Sequence, residues 1–159
     1  MTTSHGAIEL ELWPHLAPNH VFNFLSLAHA GFFDDSFIPR IMKGFVVQGG
    51  SPENNAAGTP GWSIPGEFNE VLHKRGILSM ARSRNPFTAG SQFFICLADC
   101  PQLDPAQNRG MGYTVFGKMV KGDDTLTKLE NLPTVAGAGG EPSKPAAELK
   151  ITSIKPFAR

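Results

Sequence analysis

The chain has 159 residues, which is the size of one domain built around one hydrophobic core. Its 14 Lys and Arg residues balance 14 Asp and Glu residues, and no run of like charge occurs, which argues against nucleic acid as a partner. The N-terminus lacks a secretory signal pattern, and no apolar run approaches the roughly 20 residues that span a bilayer. We therefore expect one soluble, cytoplasmic domain over residues 1–159 with no membrane partner.

The first third of the chain predicts three strands and one helix. Apolar and acidic residues alternate over 7–12, which is typical of a half-buried antiparallel strand. Residues 18–30 begin with a proline, carry apolar side chains at helical spacing and are followed by a glycine, so they predict a helix. Two short strands are then expected over 37–42 and 45–48, separated by a tight turn.

The middle of the chain predicts a long loop followed by a hairpin. Residues 49–66 contain too many Gly, Pro and Asn residues for regular structure, and a loop of this length is often functional. Residues 76–81 then indicate a buried strand, and 91–96 indicate the strand that returns beside it. The segment 82–90 between them would form a wide hairpin connection.

The last third predicts one strand, one helix and a closing strand. A polar loop over 101–112 is followed by a strand over 114–120. Asp123 is suited to cap a helix that runs to about Leu132. A Gly- and Pro-rich connection then leads to a last strand over 148–154. Many short strands with only two helices indicate an antiparallel barrel or sandwich.

Cys96 and Cys100 are separated by three residues, which is neither a thioredoxin-like C-x-x-C pair nor half of an obvious zinc site. The five histidines do not cluster near them. Ordinary reduced thiols are therefore favoured over a redox switch. No metal or cofactor is expected.

A cation and an amide stand out in the stretch from Phe37 to Gly50. Arg40 and Gln48 lie in a strand-like apolar run that ends in a glycine pair. Local sequence alone favours the simple interpretation that both occupy the solvent-exposed face of two short strands. A ligand site is the alternative, and motifs further along the chain support it.

Several blocks of the sequence resemble the cyclophilins, a family of peptidyl-prolyl cis-trans isomerases. Residues 38–50 follow the family pattern F-H-R-x-I-x-x-F-M-x-Q-G-G, with substitutions that include Ile38, Pro39 and Val46. Residues 76–81 and 90–95 match the family segments G-x-L-S-M-A and G-S-Q-F-F-I nearly residue for residue. Residues 103–104 and 113–117 resemble the W-L-D and H-x-V-F-G blocks. The resemblance covers almost the whole chain in the right order.

The resemblance implies a mainly β fold, a closed eight-stranded antiparallel β-barrel capped by two α-helices. This architecture agrees with the strands and helices predicted from periodicity alone. Because side chains fill the interior of a small barrel, a ligand groove is expected on its outer face.

The resemblance also implies that the protein accelerates rotation about X-Pro bonds in peptides and in unfolded or folding proteins. Arg40 would donate a hydrogen bond to the prolyl nitrogen in the twisted transition state, with Phe45 and Gln48 as the other catalytic residues. Ordinary core packing remains an equal alternative for Phe45 and for Phe94. The implied substrate-binding residues are Val46, Ala81, Arg82, Gln92, Phe94, Leu103 and Tyr113.

Five of the departures from the family pattern bear on the expected site. Pro39 replaces the histidine before the arginine and raises the question of how that arginine is aimed. Gln102 replaces a tryptophan that cyclosporin-type inhibitors use, so only weak cyclosporin binding is expected. Arg82 replaces asparagine, and its main chain would hold the peptide while its charge would favour acidic substrates. Val46 replaces methionine and Tyr113 replaces histidine, which alters the proline cup slightly.

A non-catalytic module that binds proline peptides, or a chaperone-like scaffold, is the alternative function. Pro39 and Gln102 make it plausible, because both depart from the family pattern beside the proposed site. The loop 105–112 is interpreted as a solvated loop rather than a partner surface. A monomer is expected.

Overall fold

The computed structural model describes residues 1–157, so the last two residues of the predicted domain lie outside the described part. The described chain is mainly β with two α-helices, as predicted. The elements are β1 (Thr2–Thr3), β2 (Gly6–Ala7), β3 (Glu9–Leu12), α1 (Pro18–His29), β4 (Arg40–Met42), β5 (Val46–Gly49), β6 (Ile77–Met80), β7 (Phe93–Cys96), β8 (Val115–Lys121), α2 (Asp123–Glu130), β9 (Thr134–Ala136), β10 (Pro142–Pro145) and β11 (Ile151–Ser153).

The central feature is a six-stranded antiparallel sheet in the order β3-β8-β6-β7-β5-β4. Two smaller sheets have the orders β11-β1-β2 and β10-β9. Phe37 forms isolated bridges to Ser51 and Lys150, and the Ile38 N–H donates to the Leu149 carbonyl 2.9 Å away. These contacts join the segment before β4 to the segment before β11.

The predicted count of eight strands is wrong, because residues 1–157 contain eleven short strands in three sheets. The opening strand divides at Ile8, whose N–H donates to the Met1 carbonyl at 2.8 Å instead of continuing one ladder. The connection after α2 was predicted as irregular but contains the β9–β10 ribbon. Pro142 and Pro145 are tolerated there because a strand in a two-stranded ribbon has one unpaired edge.

The interior core lies on one face of the central sheet. Ile41, Val47 and Ile95 occupy one row across β4, β5 and β7, and each is almost completely buried. Alternation along each strand directs the intervening residues to the opposite face. This alternation separates the structural core from the candidate site.

Helix α1 covers the interior core with Phe24, whose ring centroid lies 5.1 Å from Phe33, 5.3 Å from Phe93 and 5.4 Å from Phe116. Burying a side chain of this kind contributes about 1.5–3 kcal/mol of folding free energy. The predicted helix start is confirmed, and the helix ends one residue before the predicted end. Neither helix in the described residues is long and apolar enough to cross a membrane.

The prediction that Asp123 caps helix α2 is wrong. Gly122 occupies the N-cap with a φ of 104°, and its left-handed conformation suits glycine. The Asp123 carboxylate instead accepts a hydrogen bond from Arg75 Nε at 3.0 Å. The helix ends at Glu130, two residues before the predicted end, and β11 is shorter than the predicted last strand.

Candidate active site

A row of four side chains crosses the outer face of the central sheet. Arg40 on β4 is directly opposite Gln48 on β5, and Gln48 is directly opposite Phe94 on β7. Phe94 is in turn opposite Ser79 on β6. Because directly opposed residues in a sheet share a face, residues separated by up to 54 positions in the sequence meet in one row.

An apolar cluster distinct from the interior core lies beside this row. Phe94, Val46 and Leu103 are buried in it, and Phe45 and Tyr113 pack against it half-buried. The Phe94 and Tyr113 rings meet edge to face, with centroids 5.6 Å apart. The structure therefore brings together all five residues that were predicted to line the proline cup. Phe45 and Phe94 belong to this outer cluster and not to the interior core.

The Arg40 guanidinium is half-buried and has no carboxylate within ion-pair distance among residues 1–157. Its Cζ lies 5.9 Å from the centroid of the Phe45 ring, and its Nη2 lies 3.7 Å from the Met42 sulfur. A thioether is a weak acceptor, so the guanidinium retains strong donors for a ligand. Aromatic and sulfur contacts hold the cation, and its charge helps to lower the pKa of Glu141 from beyond ion-pair distance.

Two amide side chains are oriented beside Arg40. Gln48 Nε2 donates to Gln92 Oε1 at 2.9 Å. Gln92 Nε2 in turn donates to the carbonyls of Ala56 at 3.0 Å and Gly58 at 2.7 Å. These hydrogen bonds leave Gln48 Oε1 available as an acceptor. They also attach the long loop after β5 to the site. The same amides border a cavity of about 370 Å³ that Ala81 and Arg82 also line.

The segment after β6 forms one edge of the site. The Ala81 N–H donates to the Gln92 carbonyl at 2.9 Å, which fixes the main chain where the strand ends. In the described chain, no hydrogen bond occupies the main-chain N–H or C=O of Arg82. Its guanidinium, by contrast, bonds to several main-chain carbonyls. The Arg82 side chain is therefore committed to the protein, while its main chain is available to a peptide.

A buried polar network behind Phe94 was missed by sequence reasoning. Asp104 Oδ1 accepts hydrogen bonds from the His73 N–H at 2.8 Å and from His73 Nδ1 at 2.7 Å. His73 Nε2 lies 3.1 Å from Ser79 Oγ, and the imidazole stacks on the Phe94 ring with centroids 6.0 Å apart. Burial lowers the pKa of His73, although the hydrogen bond to Asp104 opposes that shift.

No local motif signals this network, because His73 and Asp104 are 31 residues apart and lie on either side of the paired strands β6 and β7 in the sequence. In the sequence, Asp104 is distinguished only as part of a family block. His73 was one of five scattered histidines. The network contacts Phe94 through the stacked His73 ring, while Tyr113 meets Phe94 edge to face.

The two cysteines are free and buried in the outer apolar cluster. Burial raises the pKa of both thiols, and their mutual proximity raises that of Cys96 further. Protonated, buried thiols are poor nucleophiles. Among the described residues, no three His, Cys, Asp or Glu side chains are grouped so that they could hold a metal ion.

The outer face of the central sheet combines a cavity, a guanidinium with no ion pair among the described residues, an oriented amide pair and an apolar cluster. A family model described as cyclophilin type peptidyl-prolyl cis-trans isomerase/CLD matches residues 1–156. The chain therefore belongs to the cyclophilin-type peptidyl-prolyl cis-trans isomerase family, and the resemblance predicted from its motifs is confirmed.

Individual relatives agree with this family assignment. A peptidyl-prolyl cis-trans isomerase of Acinetobacter baylyi is 38% identical over 160 residues, which are 98% of this chain and 82% of that protein. The crystal structure of a Cryptosporidium parvum cyclophilin type peptidyl-prolyl cis-trans isomerase, in the presence of the dipeptide Ala-Pro, has a TM-score of 0.87 and 34% identity. It covers 100% of this chain and 98% of that one.

Some relatives are much longer than this chain. The peptidyl-prolyl cis-trans isomerase-like 2 of Rhizopus delemar is 39% identical over 160 residues, which are 98% of this chain but 28% of that protein. This chain therefore corresponds to one part of such a relative.

Proposed function

We propose that this protein accelerates cis-trans isomerisation of X-Pro peptide bonds, with Arg40 as the transition-state donor. The observation that carries the proposal is the position of Arg40 in one row with Gln48 and Phe94, with no carboxylate within ion-pair distance in the described chain. This arrangement places a strong cationic donor, a polar anchor and an apolar wall along one line.

The reaction makes and breaks no covalent bond, so the protein must lower a rotational barrier of about 18–20 kcal/mol. In the twisted state the amide resonance is lost and the prolyl nitrogen regains its lone pair. A donor aimed at that nitrogen therefore binds the transition state more strongly than either planar ground state. Arg40 is suited to this role because a guanidinium stays charged and presents its donors in a rigid plane.

The expected contribution of Arg40 is limited. A hydrogen bond to a charged group contributes about 2 to 3 kcal/mol, which corresponds to roughly 30- to 160-fold in rate. The remaining acceleration must come from holding the proline ring while the preceding residue turns. Val46, Phe94, Leu103 and Tyr113 would hold the ring, because they share one apolar cluster.

Polar anchors would hold the peptide on both sides of the proline ring. Gln48 Oε1 is available to a peptide N–H, since the Gln48 amide nitrogen is occupied by Gln92. The main-chain N–H and C=O of Arg82 can pair with the peptide main chain as an added strand does. Ala81 and Gln92 support these anchors through their own main-chain hydrogen bond.

The test compares wild type with Arg40→Ala and Arg40→Lys in an X-Pro peptide isomerisation assay read by NMR exchange. Arg40→Ala is expected to lose roughly 30-fold or more in kcat/KM, and Arg40→Lys is expected to recover only part of it. Lys128→Ala is the matched control, because it also removes one positive charge, from an exposed position on α2. An unchanged kcat/KM in Arg40→Ala would refute the assigned role.

The same assay separates this proposal from a non-catalytic binding module. The module hypothesis is favoured if wild type binds a proline peptide but produces no acceleration of exchange. Pro39 is the observation behind that alternative, because it replaces a histidine beside Arg40.

The proposed partners are proline-containing peptides and folding proteins. Weak cyclosporin binding is proposed as well, because Gln102 offers an exposed amide where an indole would pack. Inhibition of the isomerase assay by cyclosporin measures this directly. Cytoplasmic location and a monomeric state stay predictions from the sequence.

A further inference from the structure

We propose that Arg82 is a positioning residue whose guanidinium clamps the loop 105–112 and fixes Tyr113 as one wall of the proline cup. This inference deepens the proposed function and rests on it. It assigns the Arg82 side chain an effect on substrate affinity exerted through Tyr113, without direct contact between the guanidinium and the peptide.

The first observation is that all five N–H bonds of the guanidinium are used within the protein. Nε donates to the Gly112 carbonyl at 3.0 Å, and Nη2 donates to the carbonyls of Gly112 at 2.7 Å and Met111. Nη1 donates to the carbonyls of Ser83 at 2.9 Å and Arg84 at 3.3 Å. The guanidinium thus joins the segment after β6 to the far end of the loop 105–112.

The second observation is the place of Tyr113 between two side chains. The Arg82 Cζ lies 4.6 Å from the centroid of the Tyr113 ring and 5.7 Å from that of Phe68. Tyr113 also meets Phe94 edge to face, at 5.6 Å. A cation over one aromatic ring, with a second ring at its edge, restricts how that ring can rotate.

The third observation is that the loop 105–112 has no other hydrogen-bonded link across the groove. Its remaining hydrogen bonds in the described chain are made within the loop or to Gln102 and Asp104 just before it. Arg82 supplies the only hydrogen bonds from a distant segment of residues 1–157. Without them, the carbonyls of Met111 and Gly112 would turn to water.

A lysine cannot reproduce this clamp. Five donors in a rigid plane can satisfy several carbonyls at once while the plane stacks on a ring, whereas an ammonium is a compact point charge on a flexible stem. The engaged donors also argue against the expectation that Arg82 attracts acidic substrates, because no guanidinium N–H remains for a substrate carboxylate.

The chain contains one tyrosine, so a tyrosine isotope label reports on Tyr113 alone. The experiment compares the full chain with Arg82→Lys and Arg82→Gln, using the NMR signal of the labelled ring together with kcat and KM for X-Pro peptides. Arg84→Lys is the matched control, because Arg84 is exposed in the segment after β6 that also holds Arg82, and its side chain makes no hydrogen bond in the described chain. Urea unfolding confirms that each variant is folded.

Arg82→Lys is expected to shift or broaden the Tyr113 signal and raise KM about fivefold while kcat changes less than twofold, the pattern of a lost binding contribution. Arg82→Gln should also raise KM with little change in kcat, and Arg84→Lys should change neither KM nor the Tyr113 signal. A Tyr113 signal and KM that match wild type in both Arg82 variants would overturn the proposal. A rise in KM confined to peptides with an acidic residue beside proline would also overturn it, since the guanidinium would then contact substrate.

The proposed clamp can be tested even if the proposed function fails. If wild type shows no isomerisation, the dissociation constant of a proline peptide, measured by titration against the same variants, takes the place of KM. The clamp is then supported by a weaker affinity and a moved Tyr113 signal in Arg82→Lys. Unchanged affinity and signal would refute it independently of catalysis.

Discussion

The buried pair of His73 and Asp104 yields a stability prediction that can be worked from the structure. Asp104 is 6% exposed, and its Oδ1 accepts two hydrogen bonds from His73. Asp104→Ala would leave both N–H groups of a buried residue without an acceptor. Each such group costs about 1 to 3 kcal/mol, so we expect a loss of about 2 to 6 kcal/mol in the free energy of unfolding.

Asp104→Asn removes the negative charge of the side chain but keeps an oxygen that can accept hydrogen bonds. Its amide oxygen can take the place of Oδ1 and accept both bonds, so its expected cost is about 1 kcal/mol. Asp99→Ala is the control, because it removes a carboxylate from an exposed position nearby. Urea unfolding measures all three variants, and equal m-values are required for the free energies to be compared.

The same variants affect the candidate site. His73 stacks on Phe94, so we expect the affinity for a proline peptide to fall further in Asp104→Ala than in Asp104→Asn. The reasoning is refuted if Asp104→Ala costs less than about 1 kcal/mol, or if Asp104→Asn destabilises as much as Asp104→Ala.

Two further predictions concern stability. Glu67→Ala is expected to lower the free energy of unfolding by about 1 to 3 kcal/mol, because the Glu67 carboxylate accepts hydrogen bonds from the N–H groups of Asn19 and His20 at the start of α1. Urea unfolding measures this loss, and a loss within error of zero would contradict the prediction. Burial lowers the pKa of His20 and His73 in the folded state, so the unfolded chain binds protons first. The stability that depends on these two neutral histidines should therefore be present above about pH 6.5 and be lost as the pH falls below it, and thermal unfolding between pH 6.5 and 5 would contradict this if stability rose on acidification.

Much of the candidate site was predictable because strand periodicity and family motifs act together. Period-two alternation places Val46 and Gln48 on the face opposite Val47, and the register then adds Arg40 and Phe94 to that face. The motif resemblance names these residues, and the residues predicted to line the cup lie together in the outer apolar cluster.

Other features depended on contacts between distant segments. His73 precedes β6 and Asp104 follows β7, so their contact depends on the pairing of these two strands. The cap on α1 comes from Glu67, 48 residues after Asn19, so no capping motif precedes that helix. Asp123 has the sequence pattern of a helix cap, but its carboxylate accepts a hydrogen bond from Arg75. Arg75 is distant in the sequence, so helix propensity around Asp123 does not predict this partner.

The arginine that replaces asparagine at position 82 shows why a departure from a family pattern must be interpreted in its surroundings. From the sequence, the added charge suggested an acidic substrate. In the structure, the Arg82 guanidinium is surrounded by main-chain carbonyls and the Tyr113 ring. The carbonyl groups use the donors that an acidic ligand would need.

Pro39 was the substitution that most threatened the role of Arg40, and its position in the sheet explains why that role can persist. Strand β4 is the edge of the central sheet and begins at Arg40, so Pro39 precedes the ladder and its missing N–H removes no ladder hydrogen bond. Arg40 remains directly opposite Gln48. Because the strand register fixes the face to which a side chain points, Arg40 keeps its place in the row whatever residue precedes it, provided that the β4–β5 pairing is maintained.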